Sequence, residues 1–566
     1  MRRFSDDVSI VFGGAAGLGV QTIANALIPV LKKRGYHVFA CHEYMSRIRG
    51  GCNTAEIRIS GKKRRAYLKR IDLLFALDDA VVPHLLDRIG KDTLIFAETA
   101  QPGIPGGVTF IKAPFSEFAL QAGNPAFSNT VAVGMVLGML GMPVDTFTEY
   151  LEIEFARKGE DIVRKNMTAA TLGHDFGSKT ARETELELAI ERSASVPHEL
   201  LLDGTTALGI GAVAAGCNFI ASYPMSPGTG LLTFLAARAE RFGIVVEQSE
   251  DEIAAINTAI GAGYAGARAI VTTSGGGFDL MQEGISLAGM TETPVVIHLG
   301  QRPGPATGLP TRTEQGDLNL ALHAGHGEFA RAIFAPGTLE EAFALAQRAF
   351  ELAGRFQMPV ILLTDQYFLD AVSTMDSGNM QRLPSVHHIV KTGENYRRYS
   401  LTPDGVTPRG VPGYGDGTVR VDSDEHDEQG HITESFEIRR SMVEKRLKRI
   451  AAVAEEALMP SLIGPFEDAG TVIVAWGSNR GVLEEALEAA GNQTVSAMHF
   501  SQVFPLNPGV KTMLEGKNIV VLENNASGQF ADILHRQTGH DIAGKILKTT
   551  GEPFSVEEVA AKIREL

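Results

Sequence analysis

Four carboxylates, Glu247, Glu250, Asp251 and Glu252, crowd the start of "EIAAINTAIGAGYAGA", a segment whose apolar and small residues recur at helical spacing. The positive end of a helix dipole stabilises any acid placed there, so N-terminal capping accounts for most of such a cluster. A carboxylate one turn before a helix of Ala and Gly can instead project into a cleft and act on a ligand nitrogen. Three further stretches have the composition of strand-end loops: "YPMSPGT" at 223–229, "TTSGGGFDLM" at 272–281 and "GQRPGPATGLPTRTEQGD" at 300–317. In the last, Arg302 directly follows a β-branched run and is flanked by prolines and glycines that fix the backbone. A guanidinium in that setting suits a carboxylate, which it binds through two parallel hydrogen bonds.

These loops need an α/β scaffold, and the chain supplies one. Short β-branched runs alternate with amphipathic stretches through the first 180 residues, from "VSIVFGG" and "VQTIANALIPVLKKRG" to "VTFIKAP", which predicts a parallel α/β domain over 1–180. The charged run "ARETELELAIERSAS" predicts a solvated linker helix within 181–200. A second α/β domain is expected over 201–370, where "CNFIASYP", "RAIVTTS", "TPVVIHLG" and "MPVILLTDQ" read as strands. Ligands in such folds bind outside the carboxyl ends of the strands. Between 371 and 460 the strand rhythm gives way to an irregular excursion and a cationic helix, and 461–566 reads as a third α/β domain. The fold class is therefore α/β, three domains with mainly parallel sheets.

The chain has 566 residues, enough for several domains with sizeable cores. Its net charge of −15 disfavours nucleic acid and anionic membrane as partners. The three cysteines, Cys41, Cys52 and Cys217, have neither metal-ligand nor redox spacing, which predicts a reduced cytoplasmic setting. Neither a signal peptide nor a membrane span is expected. The cluster Gly13-Gly14-Ala15-Ala16-Gly17-Leu18-Gly19 lies between a strand and a helix, where backbone can approach a phosphate, but a tight structural turn fits equally. Arg47, Arg49, Gly50 and Gly51 read as a subunit contact or as part of that edge.

The segments "YPMSPGT", "EDEIAAINTAIGAGYAGARAIVTTSGGGFDLMQEGISLAGMTETPVV" and "QRPGPATGLPTRTEQGDL" resemble the α subunit of 2-oxoacid:ferredoxin oxidoreductases, particularly the 2-oxoglutarate type. "DEHDEQGHIT" and "MHFSQVFPLNP" resemble later parts of that subunit, and the first 180 residues, with "GGAAGLGVQ" and "RGGCN", resemble the family's γ subunit fused ahead of it. The resemblance implies a Rossmann-like γ domain, a pyrimidine-type domain that binds thiamine diphosphate, and a transketolase C-terminal-like domain. It implies oxidative decarboxylation of 2-oxoglutarate with coenzyme A to succinyl-CoA and reduction of ferredoxin, a related acid such as pyruvate or a branched-chain 2-oxoacid being the alternative. It places the glutamate that contacts the cofactor's aminopyrimidine on Glu252, with Glu250 next. The substrate contacts fall on Ser226 and Arg302, with Thr229 as a substitute, and Tyr223, Pro224, Gly275 and Gly276 are expected along the cofactor.

The triplet in "GYGDGTV", residues 413–419, has no strand before it and no following Asn at the distance a diphosphate magnesium site needs, and reads as a turn. Three scattered cysteines cannot hold a [4Fe–4S] cluster. Magnesium and cluster are accordingly expected on a β subunit, in an (αβ)2 assembly. His426 and His431 in the acidic loop read as interface or solvated residues rather than metal ligands. Two rival readings remain: a self-sufficient thiamine-dependent decarboxylase or transketolase, and a non-catalytic scaffold binding coenzyme A or a nucleotide at the 13–19 turn.

Overall fold

The computed structural model describes residues 2–46, 51–155, 157 and 159–566. The chain forms two compact units, one of residues 1–202 with 371–377 and the other of 203–370 with 378–566. Arg47, Arg49 and Gly50 lie outside the described residues.

The first unit is built on an eight-stranded sheet whose order is Thr109–Lys112, Leu94–Ala97, Leu73–Ala76, Asp7–Gly14, Asn53–Ser60, His37–Glu43, Val372–Met375 and Leu200–Asp203. Its first four strands are parallel, as their β-branched runs suggested. The rest corrects the expectation of a parallel domain: Asn53–Ser60 runs antiparallel to both neighbours, so the sheet is mixed. Two other expectations also change. The charged run after 181 is not a linker helix: the helix Glu160–Glu183 ends, Glu185 takes φ 50°, and Leu186–Leu188 pairs parallel with Arg2–Phe4. Leu186, Leu188 and Ile190 recur with a period of two, separated by Glu187 and Ala189, and this spacing docks them on the first unit's core. Likewise the start of the irregular excursion, Val372–Met375, is a strand paired with His37–Glu43.

One face of this sheet is covered by helices that include Ser128–Met139 and Glu160–Glu183. Gly134 and Gly138 on the first meet the backbone carbonyls of Ala170 and His174, and Gly173 and Gly177 on the second meet those of Val131 and Met135. A Cβ at any of the four would overlap a carbonyl oxygen, so the two axes approach as closely as they do because all four side chains are hydrogen.

The second unit carries two sheets. The larger has the order Val245–Gln248, Phe219–Ser222, Ala269–Ser274, Val295–Gln301, Pro359–Asp365, Ala332–Phe334 and Gln502–Phe504, with only the last strand antiparallel. The smaller, Ser461–Ile463, Val495–Phe500, Thr471–Trp476, Asn518–Glu523 and Gly544–Leu547, shares one hydrophobic core with it, so these two segments fold as a single body. The excursion is held to that body by buried charge. Glu292 accepts from Lys445 Nζ at 2.7 and 2.8 Å and pairs with Arg449 at 3.0 Å, while Arg398 donates to the Glu292 carbonyl. Burial alone would raise this carboxyl, but the charges of Arg449, Lys445 and Arg398 bring it down to about 2. Gly415-Asp416-Gly417 is a turn packed on Thr392, whose carbonyl accepts the Asp416 N–H.

The four-glycine contact makes a direct prediction. Gly173→Ala should destabilise the chain by about 1–3 kcal/mol, the usual cost of overpacking. Gly90→Ala, with nothing within 4 Å of the added carbon, should stay within about 0.5 kcal/mol of the parent. Thermal unfolding of the two variants checks this, and equal midpoints would refute the close-packing account.

Candidate functional site

In the larger sheet of the second unit the chain steps from Phe219–Ser222 outward to Val245–Gln248 and then back across to Ala269–Ser274. That reversal leaves a crevice at the carboxyl edge, between the loops that follow Ser222 and Ser274. The parallel register puts Ser222 opposite Gln248 and Ser274 opposite Gly300, so the three loops singled out from sequence, and the acidic helix start, open on one edge.

The four carboxylates there separate cleanly. Asp251 is the N-cap of the helix Glu252–Tyr264, its Oδ1 accepting the Ala254 N–H at 2.7 Å, and Glu247 and Glu250 are exposed. Glu252 alone is buried, at 3% exposure. Its Oε1 has no hydrogen-bond partner, and burial, with a contribution from Asp251, pushes its carboxyl above the usual range. Gly277 lies against it: a Cβ there would overlap both Glu252 Oε1 and Thr273 Oγ1. Ser274 Oγ, at the end of the neighbouring strand, is also buried without a partner.

The "YPMSPGT" loop crosses the same edge. Tyr223 and Ser226 are exposed, and Pro224 and Thr229 are half-buried, the latter opening the helix Thr229–Ala236. Gly228 packs on the strand end, where an added Cβ would stand 2.8 Å from the Thr273 carbonyl oxygen. Beneath it runs a buried chain of three hydrogen bonds. Thr272 Oγ1 donates to the Gly228 carbonyl at 2.9 Å and therefore accepts from His298 Nδ1 at 2.8 Å, leaving His298 Nε2 to accept from Thr364 Oγ1 at 2.9 Å. Burial drives His298 down to about 3, so the ring is neutral and its tautomer follows from the network.

Arg302 follows the strand Val295–Gln301, as its sequence position implies, and its Nη1 donates to the Ser226 carbonyl at 2.8 Å. Two residues selected from separate loops are thus in contact. Of the two glycines singled out beside Gly277, Gly276 is exposed with open space around it. Gly275 lies under the Asp317 carboxyl, 2.7 Å from where its Cβ would be. Asp317 carries no local sequence signal of its own. It sits at the far end of the Arg302 loop, with its N–H bound to Gln301 Oε1 at 3.0 Å and its Oδ2 buried and unpartnered. Burial and the nearby Glu314, opposed by Arg302, push it up to about 6. No spacing rule would have found it, because only closure of the loop brings it back to Gly275.

Other residues considered from sequence lie elsewhere. His426 is buried, its ring 3.8 Å from that of Tyr399 and tilted 32° to it, with Nδ1 on the Asp424 carbonyl, and His431 pairs with Asp427. Cys41, Cys52 and Cys217 are buried free thiols whose ionisation burial opposes. In the first unit the 13–19 turn is closed by Asp78, whose carboxylate accepts the Ala15 N–H. Among the described residues no group of three or more His, Cys, Asp or Glu could hold a metal ion, and no helix is long and apolar enough to cross a membrane.

Comparison with known proteins bears on both units. The family model "Pyruvate flavodoxin/ferredoxin oxidoreductase, thiamine diP-bdg" matches residues 210–445, which include every side chain placed above on the carboxyl edge. A second model, "Pyruvate ferredoxin/flavodoxin oxidoreductase", matches 9–176. A Sulfolobus 2-oxoacid:ferredoxin oxidoreductase subunit alpha is 32% identical, with 98% of this chain and 96% of that protein covered. The 2-oxoglutarate oxidoreductase subunit KorA of Mycobacterium tuberculosis is 30% identical over 77% of this chain and 68% of its own. Among solved structures, a 2-oxoglutarate:ferredoxin oxidoreductase from Magnetococcus marinus, with 2-oxoglutarate, coenzyme A and succinyl-CoA bound, superposes with a TM-score of 0.92 at 27% identity, covering 99% of this chain and 100% of that one. The chain belongs to the 2-oxoacid:ferredoxin oxidoreductase family, among the subunits named alpha.

The raised Asp317 carboxyl has a sign that can be worked out. With an ordinary value near 4 when unfolded and about 6 when folded, the folded state holds a proton that the unfolded state releases between those values, so stability falls as pH rises through that window. Asp317→Asn removes the effect. The variant should match the parent near about pH 4 and exceed it by up to about 3 kcal/mol above about pH 6. Calorimetric melting at both pH values tests this, and a difference independent of pH would contradict the burial account.

Proposed function

We propose that this chain is the subunit of a 2-oxoacid:ferredoxin oxidoreductase that binds the substrate and the pyrimidine end of thiamine diphosphate, in an enzyme that converts 2-oxoglutarate and coenzyme A to succinyl-CoA and CO2 and passes two electrons singly to ferredoxin. The observation that carries the reading is Glu252, a buried carboxyl with one oxygen unpartnered, at the switch point of a sheet inside the segment that matches the thiamine diphosphate-binding family model. The residues present fit the cofactor. The unpartnered Oε1 is an acceptor for a heterocyclic nitrogen that carries a proton, and Gly277 and Gly228 keep the walls beside it to backbone. When bound, thiamine diphosphate supplies the carbon nucleophile and electron sink for decarboxylation.

Each side chain has a separable task. Glu252, its carboxyl raised above the usual range by burial, holds or releases a proton at the ring nitrogen. Arg302 presents its guanidinium to the substrate carboxylate while Nη1 remains on the Ser226 carbonyl, so the cation and the Ser226 hydroxyl are held as one unit. Thr229, Tyr223 and Pro224 shape the far wall, and the Gly275–Gly276 backbone lets the ligand approach the strand end. The diphosphate magnesium site and the iron–sulfur cluster belong to a β subunit, and two such pairs form the working (αβ)2 assembly in the cytoplasm. In support, the chain has three cysteines, all buried, where a cluster needs four thiolates.

In the assembled enzyme Glu252→Gln should lower kcat on the order of 10²-fold, the loss of a proton-transfer group. Arg302→Ala should raise the 2-oxoglutarate KM by about 10- to 100-fold, the loss of a charge-assisted pair. The isolated chain should show no decarboxylation and no magnesium-dependent binding of thiamine diphosphate by calorimetry. Turnover by the isolated chain would overturn the division of labour, and full activity of Glu252→Gln would overturn the cofactor assignment.

A further inference from the structure

The segments "WGSNRG" and "LENNASGQF" have no part in the site as described, yet both end strands of the smaller sheet and both reach the Arg302 loop. They meet at Gln315, which is 1% exposed and makes five hydrogen bonds. Its N–H donates to the Asn524 carbonyl at 2.7 Å and its own carbonyl accepts from Asn525 Nδ2 at 3.1 Å. Its Nε2 donates to the Trp476 carbonyl at 3.0 Å, and its Oε1 accepts from Asn479 Nδ2 at 2.9 Å and from the Asn524 N–H at 3.1 Å. A single amide side chain therefore has its donor and acceptor ends engaged on two different strand-end loops.

Those loops are themselves fixed by a buried carboxylate. Glu523, fully inaccessible, accepts from Asn525 Nδ2 at 2.8 Å, from Trp476 Nε1 at 3.3 Å and from the N–H groups of Phe530 and Ala531. On the other side the path from Gln315 to the substrate loop is short. Two residues on, the Asp317 N–H binds Gln301 Oε1, Gln301 Nε2 donates to the Thr364 carbonyl, and Arg302 is the next residue. Hydrogen bonds and short covalent stretches of backbone thus lead from the smaller sheet to the residue that carries the guanidinium.

We propose that Gln315 is a positioning residue for 2-oxoacid binding, through which the carboxyl-terminal sheet sets where the Arg302 guanidinium stands. This rests on the role given to Arg302 above. It assigns the smaller sheet a task within this chain: it is the template on which the substrate loop is shaped.

The test is a double-mutant cycle in the enzyme assembled with its β subunit, reading 2-oxoglutarate KM, kcat and the Kd of thiamine diphosphate. Gln315→Ala should raise KM about tenfold, the loss of a few hydrogen bonds, with the thiamine diphosphate Kd unchanged. Because Gln315 acts through Arg302, Gln315→Ala added to Arg302→Ala should cause no further rise. A KM unchanged by Gln315→Ala, or factors that multiply in the double variant, would overturn the proposal and leave the Arg302 assignment standing. An Arg302→Ala enzyme with parental KM would remove that assignment and the proposal with it. Should Gln315→Ala fail to assemble, Asn479→Ala removes one of the five bonds and should give a smaller rise of the same kind, again absent on the Arg302→Ala background; no rise on the parental background would count against the proposal.

Discussion

Water stabilises a carboxylate so strongly that burying one without a partner costs several kcal/mol unless it keeps its proton or finds a donor. Glu252 is held in that condition, with the helix dipole and its own cap residue on one side and an unpartnered oxygen on the other. Much of the second unit follows from tolerating it. Asp251 takes the capping duty, which leaves the Glu252 side chain uncommitted, and Gly277 yields the space a Cβ would occupy. Parallel strands on either side put every loop that can face this group on one edge.

The loops on that edge are built from residues with little freedom of their own, and the protein fixes them from below. The buried Thr272–His298–Thr364 chain holds the Gly228 carbonyl, and Gln301 ties the two ends of the Arg302 loop together. Such networks are rigid when every member is satisfied, since each loosened bond would expose another buried polar atom. Three buried polar atoms without a partner, Glu252 Oε1, Ser274 Oγ and Asp317 Oδ2, border the Gly275–Gly277 turn, where a ligand or a partner chain can supply what the fold leaves out.

Away from the site, the second unit uses buried charge to hold an irregular segment. The excursion after 378 is poor in strands, and Glu292 with Lys445, Arg449 and Arg398 anchors it at a depth where an unmatched charge would be costly. The first unit relies on the opposite device, two helices brought to backbone contact by four glycines.

Local pattern carried far in this chain. The β-branched runs mark the central strands of both sheets in the second unit but not the short Ala332–Phe334, Ser461–Ile463 and Gly544–Leu547; the acid cluster marks a helix start, and the Pro- and Gly-rich stretches mark the loops, because these depend on periodicity and backbone preference over a few residues. Pairing was less legible. The antiparallel Asn53–Ser60 and the strand Val372–Met375 are not legible, because hydrogen bonding between distant segments leaves no trace in local spacing. At the site, Glu252, Ser226 and Arg302 were named from their loops and from family resemblance. The resemblance already ranks Glu252 ahead of Glu250; tertiary structure adds that the first is buried and the second exposed, puts Arg302 on the Ser226 carbonyl and brings Asp317 and Gln315 into the picture. Burial and contact are properties of how segments pack, and the same acid at the same helix turn is a cap or a reactive group according to what closes over it.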